Sequence, residues 1–485
     1  MRTRFAPSPT GFLHIGSLRT VLFGYLAAKS MGGQFLLRIE DTDQKREVAG
    51  AVEGLISILD WLDLRFDEGP RLGGNHGPYI QSERRDIYDK YAAEILEKGG
   101  AYRCFCTPER LEAMRAEQQA RKEAPRYDRA CRRLSPGEIK EKMDRGEKCV
   151  IRQAVPLEGE IIVHDLIKGD IKFNYADLDD HVLIKSDGVP TYQFASVVDD
   201  HLMEITHVLR GDEWISSFPK NILLYQAFGW TPPAFAHIPL IMNKEGGKLS
   251  KRQGDVAVED FRAKGYLPEA LINFSALMGW HPKDDNEILS LAELEHEFKI
   301  KDIRVSSAIF DIEKLDYFNG WHIRHKTLDE LLELCRPFLA ENLKLAVDER
   351  RYGDSYLKQV IALEQERLKK LAGIGEATSY FFDDNFAYDP ELLVWKHMTK
   401  EEVKKNLKKC AEHLANVPED VWTKHSSKDV ITTYIEARNL KTGEYLWPLR
   451  VALTGRKASP GPFEVAEVLG KGESLRRIER AAGML

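Results

Sequence analysis

Cysteine is scarce in this chain: six residues in 485, with three crowded between positions 104 and 131 and the others dispersed. Spacing that uneven makes no disulfide framework and points to a reducing compartment, the cytosol. Long apolar runs are missing as well. The start, Met1 to Gly11, has no segment that could serve as a secretory h-region. The stretch Asn221 to Asn243 carries no Lys, Arg, Asp or Glu. It also holds Pro232, Pro233, Pro239, Gln226 and His237, so it reads as buried core and not as a membrane span. Nor is there an excess of positive charge. Seventy basic against 77 acidic side chains leave −7, which argues against indiscriminate nucleic-acid binding but leaves room for a local basic face. No internal repeat or low-complexity tract is visible. With 43% hydrophobic and 30% charged residues, disorder and fibrous structure are excluded. The length predicts roughly three or four domains.

What is present begins with a readable unit. Arg2 to Ala6 suits a short strand, closed by Pro7, Pro9 and Gly11. Leu18, Val21, Leu22, Tyr25 and Leu26 follow at helical spacing, with Ser17 expected as N-cap and Gly32-Gly33 as the stop. Phe35 to Ile39 then reads as a second strand. Strand, helix, strand is a βαβ unit, and parallel pairing calls for a doubly wound α/β sheet. The texture changes near Tyr102. A charged helix, Pro108 to Lys122, lies among Cys104, Cys106 and Cys131, and strand-like stretches follow at Cys149 to Val155 and Glu160 to Val163. This reads as an inserted α+β segment, with the interrupted sheet resuming at His181 to Ile184 and Ile205 to Leu209. From about Tyr317 strand signals nearly vanish, and periods such as Leu328-Leu331-Leu332-Cys335 and Leu357-Val360-Ile361 predict an all-α last third.

Two motifs carry chemistry. Ala6 to Ser17, with Gly11, His14 and Gly16, stands between a strand and a helix N-terminus. Glycine allows close backbone approach, and the free N–H groups of a first helical turn favour an anion. That terminus supplies only ~0.3–1 kcal/mol, so phosphate chemistry needs further cations. They are found in Gly246-Gly247-Lys248-Leu249-Ser250-Lys251-Arg252, three cations in five positions on a glycine-led loop, suited to a polyphosphate. Alone, the first motif is equally a tight turn with a solvated histidine and the second a solvated basic loop. Together, in this order and at this separation, they favour phosphate binding.

His14-Ile15-Gly16-Ser17 resembles the first signature of the class I aminoacyl-tRNA synthetases, and Lys248-Leu249-Ser250-Lys251-Arg252 resembles the second. The flanks are similar to bacterial glutamyl-tRNA synthetases: Phe5 to Gly11, Arg38 to Asp43, Asp67-Glu68-Gly69-Pro70, Tyr79 to Arg84, Val197 to His201 and Leu453-Thr454-Gly455. The first signature departs from its usual form in having Ser17 where many class I enzymes carry a second histidine.

The resemblance implies a Rossmann-type catalytic domain in two halves, 1–101 and 181–240. It implies an acceptor-stem-binding insertion at 102–180, a stem-contact region with the catalytic loop at 241–324, and α-helical anticodon-binding domains at 325–485. The implied reaction activates L-glutamate with ATP to glutamyl-adenylate and transfers it to the 3′ end of tRNA(Glu). His14, Lys248 and Lys251 are the implied catalytic residues, with Gly11, Gly16, Ser17 and Ser250 completing the ATP site and Mg²⁺ bridging the phosphates. Arg4, Ser8, Glu40, Tyr192 and Arg210 are the implied substrate contacts, Glu40 for the ammonium and Arg4, Tyr192 and Arg210 for carboxylates. Glutamine is nearly isosteric with glutamate, so charge must separate the two. A buried Arg left without its carboxylate costs roughly 3–5 kcal/mol, two to four decades of discrimination.

A structural Zn²⁺ on Cys104, Cys106, Tyr127 and Cys131 is a further expectation. Related synthetases complete such a site with a His two places after the last Cys, where this chain has Arg133, whereas another member of the superfamily uses a tyrosine at the spacing of Tyr127. Three plain buried thiols are the alternative. Arg367 lies where the resemblance places an anticodon-contacting arginine, and Arg350-Arg351, Lys369-Lys370, Lys404-Lys405 and Lys408-Lys409 offer phosphate contacts or merely solvated faces. A cytoplasmic monomer is expected. A glutaminyl-tRNA synthetase would end in β-barrels, and a truncated paralogue would lack the last third. The competing readings are a carboxylate-adenylating ligase with no RNA substrate and an inactive tRNA-binding relative.

Overall fold

The computed structural model describes residues 1–43, 48–247, 249, 256–343, 352–383 and 385–485. The chain forms two compact units, residues 1–262 with 268–312, and residues 263–267 with 313–485.

The strands of the first unit are β1 (Arg2–Phe5), β2 (Gln34–Leu37), β3 (Ala101–Cys104), β4 (Val150–Gln153), β5 (Glu160–Asp165), β6 (Gly169–Asn174), β7 (Val182–Ile184), β8 (His207–Gly211), β9 (Ala234–Ile238), β10 (Ile241–Met242) and β11 (Ala308–Ile309). β1 and β2 pair in parallel around the helix α1 (Ile15–Lys29), the expected βαβ unit. A second unit of the same kind joins β8 to β9 through the helix Phe218–Phe228, again in parallel. The two meet where Thr206 N–H donates to the Arg2 carbonyl at 3.0 Å. β5 adds to β9 in parallel and forms an antiparallel hairpin with β6. Residues read as an insertion thus extend the sheet that carries β8 and β9. β3, β4 and β7 make a separate antiparallel sheet.

Alternation sets the faces. Ile161, Val163 and Asp165 of β5 are buried while Glu160, Ile162 and His164 face out. Phe194, Val198, Val208, Phe218 and Leu224 are fully buried in one core cluster, each worth roughly 1.5–3 kcal/mol of burial. The charge-free stretch Asn221 to Asn243 supplies part of that core, and no described helix is long and apolar enough to cross a membrane.

Two expectations are corrected. The sheet does not resume at His181 to Ile184, because β7 pairs with β4 in the separate antiparallel sheet and β5 is the strand that joins β9. The N-cap of α1 is His14, not Ser17: His14 is extended and its Nδ1 accepts from Gly16 N–H at 3.0 Å, which starts the helix at Ile15 and places Ser17 inside its first turn. At the other end Gly33 has a steric reason, because a Cβ there would lie 1.9 Å from the Met1 carbonyl oxygen.

The described residues of the second unit contain helices and no strand, as the periodicity predicts. The helix Lys400–Ala415 starts with a capping box, Thr399 with Glu402, and buries Val403, Leu407, Cys410 and Leu414. Its lysines lie on the other face, where Lys409 pairs with Glu412 at 2.6 Å.

Candidate active site

Parallel strands end together, and the groups at their carboxyl ends surround one cleft. Arg4 comes from β1, Glu40 from just beyond β2, Arg210 from β8, and Tyr192 opens the helix Tyr192–Leu202. With Ser8, His14, Gly16 and Ser17 they line a cavity of about 530 Å³. Eight of the residues singled out in the sequence therefore share one wall. Gly11 does not line it; its φ of +143° makes it a turn residue. Lys248, Ser250 and Lys251 lie outside the described residues. Around them, Leu249 lines the cleft and donates its N–H to Ile241, while Val256 accepts from Ile15 N–H and Val258 donates to the Leu13 carbonyl, both at 2.8 Å. The chain on both sides of the second motif is thereby tied to the strand ends and to the His14 loop.

Below the cleft floor lies a buried ion network of which the sequence named only part. Arg38, fully buried, gives Nη2 to Glu40 at 2.9 Å and Nη1 to Asp200 at 2.8 Å. Asp200 Oδ1 also takes Arg4 Nε at 2.9 Å. Asp199 accepts from Arg84 Nε (2.7 Å), Gln81 Nε2 (2.8 Å) and the Tyr88 hydroxyl (2.9 Å). Burial is the largest influence on Arg4 and Arg38 and opposes their charge, but Asp200 with Tyr192 at Arg4, and Asp200 with Glu40 and Asp199 at Arg38, together outweigh it and their pKa values rise. At Glu40 burial prevails, with Asp200 adding to it, and the carboxyl is pushed up to about 7 despite Arg38 and Arg4. Its second oxygen, Oε2, is buried with no hydrogen-bond partner.

Arg210 differs from its neighbours. Among the described residues it makes no ion pair; Nε donates to His237 Nε2 at 2.9 Å, and both terminal nitrogens donate to Asn221 Oδ1 at 3.2 Å. Burial lowers its pKa, though the guanidinium stays charged. The Tyr192 ring, packed at 4.4 Å on Trp214, completes that side. The cleft thus holds one unsatisfied carboxylate oxygen and one guanidinium bonded only to neutral groups.

A second cluster lies apart from the cleft. Cys104 and Cys106 Sγ are each 3.3 Å from the Tyr127 hydroxyl, and Cys106 and Cys131 Sγ are 3.5 Å apart. All three sulfurs fall within 4.8 Å of one another. A tetrahedral Zn²⁺ with ~2.3 Å bonds to sulfur sets its sulfurs ~3.8 Å apart, so the four groups match such a donor set closely. A hydrogen bond from Cys131 and one from Tyr127 lower the Cys104 thiol to about 4. Arg110 donates to Cys106, and the Arg152 guanidinium lies over the Tyr127 ring, so two cations face the cluster.

Arg367 belongs to the second unit. It lines a cavity of about 570 Å³ with Lys264, Lys369, Lys370, Arg456 and Glu364, and its Nε is 3.5 Å from Glu364 Oε2. Arg350 and Arg351 lie outside the described residues.

Residues 1–317 match the catalytic domain of the class I tRNA synthetases (E and Q), and residues 330–482 match an anticodon binding domain. The chain is 46% identical over 481 residues to a glutamate–tRNA ligase of Clostridium botulinum, covering 99% of this chain and 97% of that one. It is 42% identical over 484 residues to a glutamate–tRNA ligase of Moorella thermoacetica, with coverage of 99% and 98%. Among solved structures, a glutamate tRNA ligase from Elizabethkingia meningosepticum in complex with its amino acid is similar at a TM-score of 0.91 and 38% identity, covering 100% of this chain and 99% of that one.

Proposed function

The chain belongs to the class I tRNA synthetases for glutamate and glutamine, and from that membership we infer that it is the glutamate–tRNA ligase of the pair. ATP and L-glutamate are its small substrates and tRNA its acceptor. The observation that carries the amino-acid assignment is the pairing of a partnerless Glu40 Oε2 with an Arg210 bonded only to neutral groups in one cleft. Such a pair suits an ammonium at one end of a ligand and a carboxylate at the other. Glu40 takes the ammonium; Arg210 with Tyr192 takes the side-chain carboxylate. Arg4, held at Nε by Asp200 and lining the cleft, is the further contact for a carboxylate, and Ser8 completes the wall.

The first step needs no general base, because the α-carboxylate is ionised at pH 7. Its oxygen attacks the α-phosphorus of ATP, the bond from that phosphorus to the bridging oxygen breaks, and pyrophosphate leaves. A hydroxyl of the terminal ribose of tRNA(Glu) then attacks the acyl carbon, the bond from that carbon to the phosphate oxygen breaks, and AMP leaves with its phosphate taking up the hydroxyl proton. The protein's part is positioning and charge stabilisation. His14 and the first turn of α1, with Gly16 and Ser17, face the phosphates, Gly11 shapes the turn that leads to them, and Mg²⁺ would enter with the ATP. By resemblance Lys248, Ser250 and Lys251 meet the departing pyrophosphate.

Cys104, Cys106, Cys131 and Tyr127 would hold one structural Zn²⁺, whose chemistry there is to cross-link the chain around residues 104–131. In the second unit Arg367 contacts the anticodon. The division proposed for the chain is 1–101 and 181–240 for the catalytic halves, 102–180 for the acceptor-stem insertion, 241–324 for the stem-contact region and 325–485 for the anticodon domains. The protein works as a cytoplasmic monomer.

Glutamate-dependent exchange of labelled pyrophosphate into ATP, run with and without tRNA, tests the function. Exchange that requires tRNA supports a synthetase whose activation is gated by its acceptor. Exchange without tRNA supports a carboxylate-adenylating ligase, and no exchange in either condition supports an inactive tRNA-binding relative.

A further inference from the structure

We propose that Asp165 and His237 form a positioning dyad, outside the cleft, that fixes the Arg210 guanidinium as a glutamate-specific donor. The proposal deepens the reading of the cleft as a glutamate site and rests on it. A guanidinium has no acceptor, so the contact of Arg210 Nε with His237 Nε2 at 2.9 Å requires a lone pair on Nε2. The imidazole is therefore neutral, with its proton on Nδ1, and Nδ1 lies 2.7 Å from Asp165 Oδ2. Asp165 in turn is held by three backbone N–H groups: His237 N–H on Oδ2 at 3.0 Å, and Ile167 and Lys168 N–H on Oδ1 at 2.9 Å each. The carboxylate thus sets the tautomer, and the tautomer presents the acceptor.

Strand register makes the chain of contacts. Asp165 stands opposite Phe235 across β5 and β9, and His237 stands opposite Arg210 across β9 and β8. The side chains of Asp165 and His237 are wholly buried, and the imidazole is packed against Phe218 with ring centroids 4.9 Å apart. Neither Asp165 nor His237 lines the cleft, so neither touches substrate. Arg210 has five N–H donors; one goes to His237 and two to Asn221, which leaves one N–H on each terminal nitrogen, on opposite edges of the guanidinium. A free guanidinium would rotate and serve an amide or a carboxylate. One held by His237 at Nε and by Asn221 at both terminal nitrogens keeps its charge at a fixed place beside the cleft, where a carboxylate compensates it and a neutral amide does not.

The test measures exchange of pyrophosphate into ATP, with tRNA present, on the full chain and three variants. Asp165→Asn is isosteric but can donate to Nδ1, which moves the imidazole proton to Nε2 and sets it against Arg210 Nε–H. His237→Leu removes the acceptor, whereas His237→Gln keeps an amide oxygen for Arg210 and an amide N–H for Asp165. Asp165→Asn and His237→Leu are expected to raise the KM for glutamate on the order of tenfold to a hundredfold. The KM for ATP should stay within about twofold, and the ratio of kcat/KM for glutamate over glutamine should fall. His237→Gln should recover most of the loss. If His237→Leu does not fold, the contrast between Asp165→Asn and His237→Gln carries the test. A folded Asp165→Asn with unchanged glutamate KM, or with both KM values raised alike, overturns the dyad. Absence of exchange in the unmodified chain would instead remove the glutamate reading beneath it.

Discussion

Glu40→Gln should make the protein more stable above neutral pH and worse at binding glutamate, and both effects follow from one buried carboxyl. Glu40 is 3% exposed and its pKa is pushed from an ordinary 4.5 to about 7 by burial, with Arg38 and Arg4 offsetting only part of that. A folded-state pKa above the unfolded value means that folding favours the protonated form. Relative to an uncharged Gln, the wild-type residue is neutral in effect below pH 4.5 and becomes unfavourable as pH rises from 4.5 through 7. At about 1.4 kcal/mol per pH unit, the difference reaches on the order of 3 kcal/mol by pH 8. Thermal unfolding of the two proteins at pH 5 and pH 8 should show similar midpoints at the lower pH and a higher midpoint for Glu40→Gln at the upper.

Binding runs the other way. The ammonium of glutamate needs the ionised form, and at pH 6 only about one molecule in ten has it, so the wild-type KM for glutamate should rise about tenfold from pH 8 to pH 6. In Glu40→Gln the KM should be raised on the order of tenfold to a hundredfold, the worth of a hydrogen bond to a charged group, and that step with pH should vanish. The variant subtracts every other titrating group from the comparison. A wild-type KM that is flat between pH 6 and 8, together with a variant less stable than wild type at pH 8, would refute the reasoning about both the burial and the role of Oε2.

Asp199→Asn should lower stability by about 3–5 kcal/mol, because it leaves Arg84 and Arg38 short of a carboxylate in a fully buried site; thermal unfolding checks it. Purified protein should contain one zinc per chain by elemental analysis, and Cys106→Ser should lose it. Zinc-free protein whose folding ignores a chelator would leave three thiols and a tyrosine that merely pack together. Arg367→Gln should relax the choice between glutamate and glutamine tRNAs in an aminoacylation assay with both acceptors, and an unchanged preference would remove Arg367 from anticodon reading.

Most of the cleft was legible because its residues sit in places a sequence marks. Arg4 lies in the short first strand and Glu40 just beyond the second, His14 and Gly16 stand at a strand-to-helix turn, and the helical last third announces itself by period. The misplaced N-cap has a local cause: serine is the commoner cap, and only the extended backbone at His14 shows that the ring nitrogen fills that role. What stayed hidden was pairing. Arg38 breaks the run Phe35 to Ile39, Asp199 and Asp200 close the run Phe194 to Val198, and His237 lies in the charge-free stretch. Each is a polar group in an apolar run, which signals a buried partner without naming one. The partners come from register across strands and helices up to 196 positions apart, as for Arg4 and Asp200. Period and propensity act within a segment; the burial that raises Glu40 and the neutral partners that Arg210 meets arise only between segments. For that reason the sequence marks which residues form the site, and only the fold decides which of them are left with charge to offer a substrate.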